Sequence, residues 1–239
     1  MIRETLQQFF RSCRRAPLAW LGLLVIATGT NAVDLIFGKT EVGFSNAQIL
    51  SLIIRVAGTF WLVGVAIRKL VGSPPQAWSL DRGFAFLLIW QIAVFGLEAI
   101  ASFLLVTAKN AAAPSIPLRV DPYILTLAFV ALATPLVEVL SLRVAPWLVG
   151  RTAIAPDMTF GVAWRGMRGS WGAAVKVYLV FVLPLFAIHY ALTAWLQHAH
   201  ISEQPKLQWT MFDGIESIIM LMLLVSLFVA SFLRAKPQA

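Results

Sequence analysis

The sequence predicts an all-α membrane protein: a six-helix transmembrane bundle with two parallel repeated hairpins and both termini in the cytoplasm. Three observations predict it. Apolar residues make up 59% of the chain and charged residues 13%, against about 45–50% and 25% in soluble domains. The mean hydropathy of +0.81 leaves too little polar surface to cover a soluble globule, so most apolar surface must meet lipid or other helices. The apolar residues fall into six runs, each near or above the roughly 20 residues that cross about 30 Å of hydrocarbon. β-barrel strands would be shorter and alternating, and no such alternation occurs.

Residues 1–15 come first. Ile2, Leu6, Phe9, Phe10 and Cys13 are spaced as on one face of a helix, with Arg3, Arg11, Arg14 and Arg15 over the rest; this predicts an amphipathic helix on the cytoplasmic leaflet. The first run covers about 16–37. A cleaved leader is the competing reading, with Arg14-Arg15 before an apolar core and Thr30-Asn31-Ala32 as a loose cleavage site, but the run is long enough to span. The remaining spans are predicted at about 47–70, 83–108, 122–148, 173–196 and 212–233, so 1–239 reads as a single transmembrane domain. Prolines at 135 and 184 predict kinks in the fourth and fifth spans.

The basic residues orient the chain. With the N-terminus inside, 14 Lys and Arg lie on the cytoplasmic side and four outside, with Arg55 left within the membrane. The positive-inside rule then places both termini in the cytoplasm. The net charge of +8 is distributed as short clusters beside apolar runs, which suits anionic headgroups and argues against nucleic acid.

An internal repeat lies at an offset of 86 residues: Trp61-Leu62-Val63-Gly64 recurs as Trp147-Leu148-Val149-Gly150, Ala77-Trp78 as Ala163-Trp164, and Arg82-Gly83 as Arg168-Gly169. Val94, Phe95 and Leu97 match Val180, Phe181 and Leu183 at the same offset. Both copies would run out-to-in and back, as parallel repeats. Their loops predict two short interfacial helices, one opening at Ser73-Pro74. The other carries Phe160, Trp164, Met167 and Trp171 on one face. Trp78 and Arg82, with Trp164, Arg165 and Arg168, are the candidate headgroup contacts; a plain anchoring role is the simpler account.

Polar groups inside the spans need a reason, because an ionisable group near mid-bilayer costs about 2.5–3.5 kcal/mol on insertion scales. Counting about 1.5 Å per residue from each run's midpoint, Asn31, Arg55, Glu98 and His189 fall in one layer about 4–7 Å outward of centre. An Arg55–Glu98 ion pair is the simplest consequence; a substrate or proton pathway is the alternative. Gln91 and Glu138 share a depth about 5 Å inward. Glu138 follows Thr134-Pro135, where backbone carbonyls are freed; the plain expectation is a bond to a neighbouring helix or to Arg143.

No catalytic motif, cofactor signature or metal framework emerges. His198, His200 and Glu203 form only a loose loop cluster, and Cys13, the one cysteine, has no partner thiol. An intramembrane enzyme would require carboxylates or histidines gathered around one pocket.

Arg143-x-x-Pro146 through Trp164-Arg165-Gly166-x-Arg168-Gly169 resembles a pattern of uncharacterised bacterial six-helix inner-membrane proteins. These in turn resemble the membrane domain of some glycerophosphodiester phosphodiesterases. The resemblance implies a bacterial inner-membrane location and carries over no catalytic residue, since no phosphodiesterase barrel is present. The expected function is lipid or membrane-partner binding, with a homo-oligomer possible and no cofactor. A small transporter or permease subunit using the Arg/Glu/His layer is the alternative.

Overall fold

The computed structural model describes residues 1–37, 46–72, 77–112, 122–155, 157–198 and 203–236. Among these, every regular element is helical: α1 (Ile2–Arg15), α2 (Pro17–Phe37), α3 (Asn46–Val71), α4 (Arg82–Ala112), α5 (Pro122–Ser141), α6 (Ala145–Thr152), α7 (Phe160–Gly166), α8 (Trp171–Val177), α9 (Leu183–His198) and α10 (Glu203–Ala235). A π-helical turn, Tyr178–Val182, joins α8 to α9. By length and composition, three segments can cross a membrane: Asn46–Val71, Trp171–Trp195 and Lys206–Ala235. A fourth is added if α1 and Pro17–Val33, bent by 88° at their junction, count as one.

That bend has a sequence cause. Proline at the first position of α2 has no amide to continue the α1 ladder. Around α1, Thr5, Gln8 and Ser12 face inward and are buried, whereas Ile2, Phe10 and the arginines at 3, 11, 14 and 15 are exposed. The polar stripe therefore faces the bundle, where α1 meets α10 and α3 and Phe9 packs against the core, while Ile2, Phe10 and the arginines point away.

Helix α10 is the centre of the packing. It touches α1, α2, α3, α6, α7, α8 and α9. Its apolar window is 61% buried, against 33% for the α3 window and 28% for the α8–α9 window. Met222, Val225, Val229 and Phe232 pack with Leu62, Ala66 and Leu23, while Leu223 and Leu227 meet Tyr178, Val182 and Leu142. At its far end Arg234 pairs with Glu4, Nε to Oε2 at 2.7 Å, so the first and last described helices meet at one end of the molecule.

Several expectations are corrected. The run 122–148 is not one helix: α5 stops at Ser141, residues 142–144 form a turn, and α6 restarts ahead of Pro146. The residue before a proline is disfavoured in the helical region, and proline fits the first turn of a new helix. Ser73 and Pro74 lie outside the described residues, and 77–81 form turn and bend. Trp78 therefore stands on a turn. Phe160, Trp164, Met167 and Trp171 do not share one helix, because α7 ends at Gly166 and Met167 is fully buried in the turn that follows. Ahead of Pro184 the chain forms the π-helical turn, where a wider ladder accommodates the missing amide.

The repeated W-L-V-G is helical in both copies, with Leu62, Val63, Gly64, Leu148, Val149 and Gly150 all buried. The surroundings differ: α3 continues to Val71, whereas α6 ends at Thr152.

Candidate functional site

Three polar constellations lie within the helical body. The first is a joint between α3, α4 and α6. Arg68, 2% exposed, donates from Nε to the Thr152 carbonyl at 2.8 Å and from Nη1 to the Ser79 carbonyl at 2.9 Å. Its Nη2 pairs with Asp81 Oδ1. Asp81 caps α4, accepting from the amides of Gly83 at 2.9 Å and Phe84 at 3.3 Å, and Ser79 Oγ donates to its other oxygen at 2.6 Å. One guanidinium thus meets the negative end of α6 and the capping carboxylate of α4. Gly83 is required here: a Cβ would stand 2.5 Å from the Thr152 carbonyl oxygen and 2.7 Å from Arg68 Nη2. Burial pulls the Asp81 carboxyl upward, but the Ser79 hydroxyl, the Phe84 and Gly83 amides and Arg68 outweigh it and hold it below the usual carboxylate range.

The second constellation holds most of the predicted polar layer. Arg55 on α3 donates from Nε to Thr30 Oγ1 and from Nη2 to Asn31 Oδ1, both at 2.9 Å, joining α3 to α2. The side chain of Glu98 lies outside the described residues, so the expected Arg55–Glu98 pair lies there too. His189 on α9 meets α10: its Nδ1 is 2.8 Å from Asp213 Oδ1, 3.6 Å from Glu216 Oε2 and 3.3 Å from Ser217 Oγ. Asp213 and Glu216 are 7% and 5% exposed, and neither Glu216 oxygen has a hydrogen-bond partner among the described residues. The ligand atoms of His189, Asp213 and Glu216 all lie within 4.8 Å of one another. The Arg55 guanidinium is near enough for its charge to act on His189. Asp213 and Glu216 were not among the residues expected from sequence. The available signal was their i, i+3 spacing, with Ser217 one turn beyond Asp213, at the head of an apolar run.

The third is a central cavity of about 240 Å³ between α3, α4, α5, α6, α9 and α10. Phe60, Val63, Leu87, Leu224 and Phe228 supply apolar walls; Gln91, Thr134, Glu138 and Ser141 supply the polar ones. Gln91 and Glu138, expected at one depth, line this same space. One partner of Glu138 is Tyr178 of the π-helical turn, which donates to Oε2 at 2.6 Å. Arg143 lies instead over the rings of Trp164 and Trp171, at 4.8 and 6.0 Å. Thr134 Oγ1 is buried with no hydrogen-bond partner among the described residues. A second space of about 230 Å³ runs between α4 and α5, lined by Leu97, Val137 and Leu140, and it shares Trp90, Val94 and Ser141 with the central cavity. Leu97 and Leu140 are exposed.

The proposed headgroup residues lie on the outside. Arg82, Arg165 and Arg168 are exposed, as are Trp78 and Trp164. Each tryptophan also has a partner within the molecule: Trp78 packs edge-on to Trp61 beneath Lys69, and Trp164 stacks on Phe160. His198, His200 and Glu203 have no described side chains.

Fold and geometry define the class: a protein that is all-helical among the described residues, with three to four helices there able to cross a membrane by length and composition, carrying buried acid–base groups and a cavity between helices. No family model, curated protein or solved structure matches the chain.

Proposed function

We propose that this chain is a six-span bacterial inner-membrane protein, without catalytic activity of its own, that holds the alkyl chain of a membrane lipid between its helices. The observation that carries the reading is the central cavity, apolar for most of its wall, which meets the outward groove between α4 and α5 at Trp90, Val94 and Ser141. Ligand pockets commonly combine apolar walls with a few placed polar groups. At about 240 Å³ the space suits one chain rather than a whole lipid. Glu138, Gln91 and Thr134 Oγ1 offer the polar end its hydrogen bonds. The resemblance to membrane domains of glycerophosphodiester phosphodiesterases agrees with a lipid ligand.

The topology belongs to the same proposal. Six apolar runs, the repeat of helices 2–3 and 4–5 as parallel hairpins and the one-sided basic residues support both termini being cytoplasmic. The Glu4–Arg234 pair, which brings the two ends together, agrees with an even number of crossings. Trp78, Arg82, Trp164, Arg165 and Arg168 would then meet anionic headgroups on the inner side.

The test is mass spectrometry of the full chain purified in native lipid. A co-purifying lipid is expected, and it should be lost in Ser141→Phe and Val94→Phe variants that fill the shared wall. Undiminished lipid in both variants, or none in the parent, overturns the reading. A C-terminal tag that reacts with impermeant reagents outside intact cells overturns the topology. A second reading, a small transporter, is favoured by one observation: Arg55, His189, Asp213 and Glu216 are gathered near one another within the helical body. Solute- or proton-flux in reconstituted vesicles tests it.

A further inference from the structure

We propose that His189, Asp213 and Glu216 form a binding site for a divalent transition-metal ion, held between α9 and α10. The proposal stands apart from the lipid reading, since none of the three lines the central cavity.

The geometry fits a metal better than it fits a finished hydrogen-bond network. His189 Nδ1 lies 2.8 Å from Asp213 Oδ1 and 3.6 Å from Glu216 Oε2. Ligands bound at about 2.0–2.2 Å stand roughly 2.8–3.1 Å apart in octahedral and roughly 3.3–3.6 Å apart in tetrahedral arrangements, so the two separations fall at the ends of the range a metal would impose. All three donor atoms already fall within 4.8 Å. Ser217 Oγ, 3.3 Å from the same nitrogen, borders the site as a neighbouring oxygen. Metal binding moves the imidazole proton to Nε2, freeing the Nδ1 lone pair.

The second observation is the state of Glu216. Its side chain is 5% exposed, and neither oxygen accepts a hydrogen bond among the described residues. A buried carboxylate that accepts no hydrogen bond is costly, and a second one beside it compounds the cost. One imidazole cannot satisfy both, because Nδ1 carries a single proton. Arg55 is committed to Thr30 and Asn31 through Nε and Nη2. A divalent ion would neutralise both carboxylates at once and take one oxygen from each.

The donor set also selects among ions. One imidazole with two carboxylates suits Zn²⁺, Mn²⁺ or Co²⁺; Mg²⁺ and Ca²⁺ prefer oxygen alone. The positive charge of Arg55 works against any cation and keeps the affinity moderate.

The experiment uses the full chain in lipid nanodiscs, stripped with chelator and titrated with Co²⁺, Zn²⁺ and Mg²⁺. Co²⁺ should develop visible ligand-field absorption that Zn²⁺ displaces and Mg²⁺ does not, and Zn²⁺ should raise the melting temperature. Glu216→Gln and His189→Gln should each weaken Co²⁺ binding by at least about 100-fold. Asp81→Asn, in the α3–α4–α6 joint, should lower the melting temperature yet keep the full Co²⁺ signal. That variant separates loss of fold from loss of site, and the doubly substituted His198→Ala/His200→Ala chain should also keep the signal. No Co²⁺ absorption in the parent, retention of it in Glu216→Gln, or its loss in the loop-histidine variant would each overturn the assignment.

Discussion

The Arg68 joint and the His189 cluster are both buried, charged and built from neighbouring helices, yet they are finished to different degrees. Around Arg68, the donors meet two carbonyl oxygens and a carboxylate, and that carboxylate accepts two helix amides and a hydroxyl. Around His189, two carboxylates share one imidazole, and Glu216 accepts no hydrogen bond among the described residues. A closed network holds elements in place; an open one stores free energy that a ligand can release. The contrast teaches where to look for function in a chain without catalytic motifs: at the polar group the fold leaves unserved.

Substitutions can break or sharpen this contrast. Arg68→Ala strands Asp81 and the end of α6, and should cost about 3–5 kcal/mol in detergent unfolding measurements. Asp81→Ala removes the α4 cap and takes the carboxylate from the buried Arg68, and should cost about 2–4 kcal/mol. Glu216→Gln should go the other way in metal-free protein, raising stability by about 1–3 kcal/mol, because a buried carboxylate that accepts no hydrogen bond among the described residues and crowds Asp213 is removed. A loss as large as that of Arg68→Ala would make the cluster a structural joint too.

Acid titration probes the same side of the comparison. Arg234, through its hydrogen bond, and the chain's amino group lower the Glu4 carboxyl, and Asp81 is lowered as described above. Both contribute stability that is present above the unfolded carboxylate values of about 4 and is lost as pH falls through the depressed folded values. Melting temperature should therefore decline below about pH 4, and less so in an Asp81→Asn variant. The smallest effect belongs to Ile154, a β-branched residue at φ 56°. Ile154→Gly should relieve up to about 1 kcal/mol of backbone strain, read as a modest rise in melting temperature.

Much of the helical framework was legible because apolar run length is a direct consequence of what surrounds the chain. The runs at 16–37, 47–70, 83–108, 173–196 and 212–233 all lie on observed helices. The fourth failed at 142–144, where Pro146 starts a new helix inside an uninterrupted apolar stretch; hydropathy does not register that break. Of the two interfacial helices, the one opening at Ser73-Pro74 lies outside the described residues, and the other forms as the short α7, which ends at Gly166 before Met167 and Trp171. Tryptophan and arginine spacing gives affinity for the interface but does not mark where helix gives way to turn, as it does after Gly166, so that Trp164 and Arg165 sit on α7 and Arg168 on the turn beyond.

At the site, His189 and Arg55 were visible as charges in apolar surroundings. Asp213 and Glu216 were passed over because they stand at the start of the 212–233 run, where acids pass for boundary residues. Only the crossing of α9 and α10 shows that they face His189. Asn31 was placed at the depth of Arg55 by counting alone, and its contact with that side chain followed once α2 and α3 packed.

One consequence of α10 concerns the ribosome. The helix on which most of the others pack is also the one translated after them. Until it emerges, α1 lacks one of the helices it packs on, and Leu23 and Leu62 have no Val225 or Met222 to close over. The earlier helices must wait in the bilayer half-assembled, so a nonsense codon falling between α9 and Glu203 leaves a product with every greasy segment but the keystone, a natural target for membrane proteases.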